Sequence, residues 1–96
     1  MTSQEILDIL REEKPYLKRK FGLLSIGLFG SHAKGTQRPD SDVDLLVELT
    51  EARFDFLIGL QIHLESRIGK PIELIRKRPD LSERFLKRIE KQIHYA

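Results

Sequence analysis

The chain has 96 residues, 40% of them hydrophobic and 33% charged, and its 17 Lys and Arg against 15 Asp and Glu give a net charge of +2. This length predicts a single domain over residues 1–96, and so small a net charge does not by itself indicate nucleic-acid binding. The absence of cysteine excludes disulfides, thiolate metal sites and cysteine nucleophiles. No segment has the roughly 20 consecutive apolar residues of a membrane span. Because Thr2–Glu5 is polar, unlike a secretory signal, we expect a cytoplasmic protein without a membrane partner.

The first predicted element is a helix that begins near Thr2. Thr2 and Glu5 have the spacing of a capping box, in which each side chain bonds the other residue's backbone N–H. Pro15 has no N–H to donate and predicts a kink or a fresh helical turn, and Gly22 indicates the end of the helix. The apolar residues at helical intervals are Ile6, Ile9, Leu10, Leu17 and Phe21.

Two strands with a polar turn between them come next. The run Leu23–Phe29 alternates in the manner of a strand. In the second strand Asp42 and Asp44 are predicted to share one face, because successive side chains point to opposite sides. The residues predicted on its other, apolar face are Val43, Leu45 and Val47.

The second half of the chain predicts a helix, a short strand and a last helix. Residues 54–68 have helical periodicity with Gly69 as a C-terminal cap, residues 71–75 are Pro and aliphatic apart from Glu73, and residues 81–93 repeat an apolar position every four residues. The predicted core face of the first of these helices consists of Phe54, Leu57, Ile58, Leu64 and Ile68, which leaves Phe56 and Leu60 off that face. This order of elements predicts an α/β (α+β) domain with a mixed sheet of about three strands and helices packed on one face.

The stretch from Gly30 to Asp44 carries the chemistry. The pair Gly30 and Ser31 can bring a backbone N–H and a hydroxyl against a phosphate. Asp42 and Asp44 would lie about 7 Å apart at Cα, so both carboxylates can converge on one divalent ion or bracket two. Oxygen ligands favour Mg²⁺ or Mn²⁺, and magnesium prefers a few carboxylates together with substrate phosphates. The alternative is that the acidic segment is only a turn.

Several further residues are candidates for the same site. Glu73 is the predicted third carboxylate, and its alternative is an exposed position on an edge strand. Lys34 and Arg38 are candidate phosphate contacts, with solvated loop charges as the alternative. Ser31 suits phosphate binding better than nucleophilic attack, because only His32 and Lys34 in its own turn could activate it. The three histidines, which have no ligand spacing and are expected at the surface or an interface, are His32, His63 and His94.

Basic residues are concentrated near the C-terminus. Between Arg76 and Lys91 there are seven Lys and Arg but only three Asp and Glu. The simplest interpretation is the solvated side of an amphipathic helix. The alternative is a surface for an anionic partner or for the triphosphate of a nucleotide.

These residues together resemble a known family. The pair Gly30-Ser31, ten residues, and then Asp42-Val43-Asp44 resembles the signature of the DNA polymerase beta-like nucleotidyltransferase superfamily, and the surrounding residues from Phe29 to Leu45 resemble its minimal nucleotidyltransferase branch. The resemblance implies that Gly30 and Ser31 hold the β- and γ-phosphates of an NTP. It also implies that Asp42 and Asp44 ligate two Mg²⁺ ions, and that Glu73 stands at the third carboxylate position, where the family more usually has Asp.

The resemblance also implies an activity and a partner. Minimal nucleotidyltransferases commonly act as antitoxins of HEPN-domain toxins, so the implied function is Mg²⁺-dependent transfer of NMP, AMP in the case of ATP, to a hydroxyl of such a partner protein. Phe56 and Leu60 are candidates for that contact. One alternative is a non-catalytic antitoxin that neutralises its partner by occlusion. Another is nucleotidyl transfer to RNA or to a small molecule, although a nucleic-acid partner is less favoured than a protein.

Overall fold

The computed structural model describes all 96 residues. None of its helices combines the length and the apolar character that crossing a membrane requires. The helices are α1 (Ser3–Phe21), α2 (Ser31–Lys34), α3 (Phe54–Ile68) and α4 (Glu83–Glu90), and the strands are β1 (Leu23–Phe29), β2 (Val43–Leu49), β3 (Ile72–Arg76) and β4 (His94–Tyr95).

The four strands form one mixed sheet in the order β3-β2-β1-β4. Strand β1 pairs antiparallel with β2 and with β4, whereas β2 pairs parallel with β3. The predicted mixed sheet is therefore confirmed, with one more strand than expected. Strand β4 has only two residues and contacts β1 at Gly27 and Leu28, so it has too few residues to show a periodicity.

Helix α1 begins and ends as the sequence predicts. Thr2 and Glu5 form the capping box, with the Glu5 N–H donating to Thr2 Oγ1 at 3.1 Å and the Thr2 N–H donating to Glu5 Oε1 at 2.9 Å. Gly22 ends the helix with φ 68°. Helix α1 continues through Pro15, so no separate helix begins there. Leu10 and Leu17, on either side of the proline, are fully buried in the same core.

The main core lies between one face of the sheet and helices α1 and α3. The side chains that the strands contribute to it alternate with those on the other face. The residues of this cluster are Ile6, Leu7, Leu10, Leu17, Phe21, Leu23, Ile26, Leu28, Val43, Leu45, Val47, Leu60, Leu64, Ile68 and Ile72.

The opposite face of the sheet is also covered, by α4. Phe29 and Leu46 on that face form a second buried cluster with Ile89 of α4, and the Phe29 and Phe85 rings meet edge to face with centroids 5.9 Å apart. The prediction that the helices pack on one face is therefore wrong. The apolar residues that alternate with the main-core residues need cover of their own, and α4 supplies it.

Helix α3 buries only part of the face that its periodicity predicts. Leu64 and Ile68 are in the main core and Leu57 packs against it, as predicted. Leu60 is fully buried, whereas Phe54 is 76% and Ile58 43% exposed. A Cβ on Gly59 would lie 2.6 Å from a ring atom of Phe21, so this glycine allows α3 to approach α1 closely on that side. The assignment of Leu60 to a partner contact is thus wrong. The expected role of Phe56 there is also not supported, since Phe56 is half-buried against Phe21.

Candidate active site

The candidate site lies at one end of the sheet, on the face that α4 partly covers. Phe29 at the end of β1 pairs with Asp44 of β2, and Asp44 pairs with Glu73 of β3. Residues that are opposite in register point to the same face of a sheet, and adjacent strands are about 4.8 Å apart. Asp44 and Glu73 are therefore immediate neighbours, although they lie far apart in the sequence.

Asp44 has the most perturbed carboxyl of the site. Its pKa is raised to about 6, first by burial, then by the hydrogen bond and the charge of Glu73, and last by the charge of Asp42. Burial and like charges both oppose ionisation of a carboxyl group. The three predicted carboxylates thus lie near enough to one another for their charges to interact.

Asp42 lies just outside the strand. Strand β2 begins at Val43, and Asp42 precedes it in an exposed position. No three Asp, Glu or His side chains are drawn together into a preformed metal cluster. Like charges on neighbouring carboxylates repel one another, which favours keeping these side chains apart. Mg²⁺ is commonly held by one or two carboxylates together with substrate phosphates rather than by a complete protein cage.

Gly30 is fixed by its neighbour Asp44. It has φ 76° and ψ −155°, a backbone conformation that residues with a Cβ rarely adopt. A Cβ at this position would also overlap the Asp44 carboxylate. The turn before α2 is thereby pressed against the acidic end of β2, and Ser31 is the first residue of α2. The structure therefore brings together the two halves of the sequence motif.

Lys34 and Arg38 are less closely tied to the site. Both are exposed, and neither is in a salt bridge. The backbone N–H of Arg38 donates to Ser41 Oγ at 2.8 Å, which shapes the turn before Asp42. Their side chains are free to reach a ligand, but no contact draws them to the carboxylates.

The histidines occupy three different environments. His94 is exposed, and His63 is half-buried with its Nε2 2.5 Å from Glu13 Oε1. His32 is fully buried, with its Nδ1 3.1 Å from the backbone oxygen of Asp42. The expectation of a surface or interface position is therefore wrong for His32. Its burial follows from the way α2 packs on β1 and β2, which no local spacing in the sequence shows.

The basic residues near the C-terminus agree with the simpler interpretation. Arg84, Lys87, Arg88 and Lys91 are all exposed along α4. The opposite side of the helix carries Phe85 and Ile89, which pack on the sheet. These cations therefore form the solvated side of an amphipathic helix.

Known proteins are similar to this chain in both sequence and fold. A family model described as nucleotidyltransferase domain matches residues 6–95. The protein adenylyltransferase MntA of Thermococcus cleftensis is 35% identical over 98 residues, which cover 100% of this chain and 97% of that protein. A solved structure provisionally described as a minimal nucleotidyltransferase is 30% identical, with a TM-score of 0.78 over 98% of this chain and 95% of that one. A crystal structure of a toxin-antitoxin with AMP-PNP is 25% identical, with a TM-score of 0.69 over 99% of this chain and 72% of that one.

The matches agree with the geometry of the site. The family model covers almost the whole chain, and the turn at Gly30 contacts the acidic strand end at Asp44 within one compact fold. The chain therefore belongs to the nucleotidyltransferase family and is a nucleotidyltransferase of the minimal type.

Proposed function

We propose that this chain transfers AMP from ATP to a hydroxyl group of a partner protein, and that it acts as the antitoxin of a HEPN-domain toxin. The observation that carries the proposal is the contact of the Gly30 turn with the carboxylate of Asp44, which has Glu73 beside it in register. A phosphate-binding turn next to two carboxylates suits a nucleoside triphosphate bound together with a divalent cation. The toxin-antitoxin structure with AMP-PNP supports both the nucleotide and a protein partner.

Asp42, Asp44 and Glu73 would hold Mg²⁺ or Mn²⁺. The donor atoms are carboxylate oxygens, which these hard cations prefer. Burial first, and then Glu73 and Asp42, raise the pKa of Asp44, and a bound cation would offset the cost of ionising this carboxyl group. When bound, the cation supplies positive charge that stabilises the transferring phosphoryl group and the leaving pyrophosphate.

The other residues position the reactants. Gly30 and Ser31 bind the β- and γ-phosphates through backbone N–H groups and the serine hydroxyl, and Lys34 and Arg38 add positive charge from the surrounding loop. Glu73 orients the attacking hydroxyl. The acceptor oxygen forms a new bond to the α-phosphorus, and the proton of the hydroxyl passes to water. The bond between the α-phosphorus and the oxygen that bridges it to the β-phosphate breaks, and pyrophosphate leaves from the turn at Gly30 and Ser31.

The direct test uses ATP labelled at the α-phosphate, Mg²⁺ and the product of the neighbouring reading frame, which the proposal expects to be a HEPN-domain toxin. We expect label on the toxin with the wild-type chain and none with the Asp42→Asn/Asp44→Asn variant. Asp40→Asn is the matched control, because it removes the same charge from an exposed residue of the preceding turn. Labelling that persists in the double variant would refute the assignment of the metal ligands.

Neutralisation by occlusion is the second candidate function. It is favoured by Glu73, an exposed residue of edge strand β3 at a position where the family more usually has Asp, since binding a toxin requires no third metal ligand. If the wild-type chain and the double aspartate variant neutralise the toxin equally well, binding alone accounts for the antitoxin effect.

Transfer to RNA or a small molecule is a third candidate, favoured by the exposed cations of α4. RNA binding that weakens steeply with salt would support it, because neutralising phosphates releases counterions. Absence of RNA binding at low salt would exclude an RNA acceptor.

A further inference from the structure

His32 is a buried polar residue that the proposed chemistry does not use. Its side chain is fully buried, and its Nδ1 lies 3.1 Å from the backbone oxygen of Asp42. A carbonyl oxygen only accepts hydrogen bonds, so Nδ1 must carry the proton and donate. The ring's other nitrogen, Nε2, is buried without a hydrogen-bond partner.

This arrangement is not explained by stability alone. An unpaired buried acceptor costs more free energy than a single neutral hydrogen bond usually returns. A leucine would fill a similar volume without that cost. The retained benefit of the imidazole is therefore the bond that its Nδ1 makes to Asp42.

Asp42 itself makes no other backbone hydrogen bond, although both of its neighbours do. It lies before the first residue of β2, outside the sheet ladder, and none of the backbone–backbone hydrogen bonds in loops and turns involves it. The N–H groups on either side, of Ser41 and Val43, donate to the carbonyl oxygens of Arg38 and Pro71. The imidazole connects it to α2, and the neighbouring residue on that helix is Ser31. One side chain thus links the predicted phosphate-binding turn to a predicted metal ligand.

We propose that His32 is a positioning residue, which holds the Asp42 backbone at a fixed distance from the Gly30–Ser31 turn and so directs the Asp42 carboxylate toward Asp44. The inference rests on the proposed function in one respect, namely that Asp42 serves a metal–nucleotide site. The residue acts through Asp42 and touches neither nucleotide nor acceptor.

Two substitutions separate positioning from packing. His32→Leu fills the space but has no donor, whereas His32→Asn has an amide N–H close to the position of Nδ1. We expect His32→Leu to weaken Mg²⁺-dependent binding of AMP-PNP about tenfold, the usual effect of losing a group that orients a metal ligand, with a thermal unfolding midpoint at or above that of the wild type. His32→Asn should bind within about threefold of the wild type, because it keeps the hydrogen bond.

Calorimetric titration with AMP-PNP at several Mg²⁺ concentrations measures these effects, and His94→Asn, at an exposed histidine, is the control. Hydrogen exchange of Ser41–Val43 in the free protein is a second readout, expected to be faster in His32→Leu than in His32→Asn and the wild type. Equal binding by wild type and His32→Leu, or equal losses in both variants, would overturn the inference. If the wild type binds no Mg²⁺–AMP-PNP, the proposed function fails, and the exchange rates still decide whether His32 restrains Asp42.

Discussion

Replacing Asp44 with asparagine is expected to stabilise the fold at neutral pH while abolishing nucleotidyl transfer. In the folded chain, burial of the Asp44 carboxyl group and the neighbouring Glu73 and Asp42 raise the pKa of Asp44 from 3.8 to about 6. Asparagine carries no charge at any pH, and its side-chain amide can still donate a hydrogen bond to Glu73. The substitution therefore removes a repulsion and leaves the packing nearly unchanged.

The magnitude and its sign follow from proton linkage. Between pH 3.8 and about 6 the folded state retains a proton that the unfolded state has lost, so the stability of the wild type falls as pH rises through this window. The pKa difference corresponds to an upper bound of about 3 kcal/mol. Because Asp44 is partly exposed, solvent screening reduces this to about 1–2 kcal/mol. For a domain of this size the gain amounts to about 5–15 °C in unfolding midpoint.

Thermal unfolding of wild type and Asp44→Asn at a series of pH values between 3.5 and 8 tests the reasoning, with the range chosen to bracket the two pKa values. We expect the variant's advantage to be small at the acid end and to grow until about pH 7. Added Mg²⁺ should stabilise the wild type and leave the variant largely unchanged, because the cation offsets the same repulsion. Asp40→Asn provides the control for loss of an exposed carboxylate.

Two outcomes would contradict this account. An Asp44→Asn variant no more stable than the wild type at pH 8 would mean that Asp44 is not under strain from its acidic neighbours. An advantage that is constant over the whole pH range would mean that the gain comes from packing and not from the missing charge.

Two further predictions concern glycine and the face of α3. Gly30→Ala should destabilise the chain by about 1–3 kcal/mol and abolish nucleotide binding, because the new Cβ would overlap Asp44. Gly35 also has a positive φ of 75°, but a Cβ there would have no atom within 4 Å. Gly35→Ala should therefore cost only about 1 kcal/mol of stability and leave nucleotide binding normal. Denaturant unfolding and AMP-PNP titration measure both, and equal losses would refute the role given to the Asp44 contact. Leu60→Ala should cost about 2–5 kcal/mol and Ile58→Ala less than about 0.5 kcal/mol; the reverse order would mean that α3 faces the core as its periodicity first suggests.

The local structure that the sequence predicts well is formed by neighbouring residues. The turn at Gly30, the strand that carries Asp44 and the capping box of α1 all follow from local spacing. Glu73 could be proposed because a charge stands out in an aliphatic strand, but its place beside Asp44 depends on the parallel pairing of β2 with β3. That pairing forms between segments that are distant along the chain.

The incorrect predictions share a different cause. Helix α3 is apolar around much of its circumference, so periodicity allows several faces, and Gly59 selects one only through its contact with Phe21. His32 lies in a four-residue helix, which is too short to show a buried side. The cover of the second sheet face by α4 also depends on contacts that form only in the complete fold.

Helix α4 lies on the same face of the sheet as the candidate site. It covers Phe29 through Phe85, and Phe29 is the register partner of Asp44. The apolar cover therefore ends one strand away from Asp44, and burial is the largest cause of the raised pKa of that carboxyl group. Asp44 itself is half-buried beside Glu73, with its carboxylate against Gly30. At such a partly desolvated position a divalent cation would gain more from binding than at a fully hydrated pair of acids. The second layer of helix thus covers the same face of the sheet that carries the site.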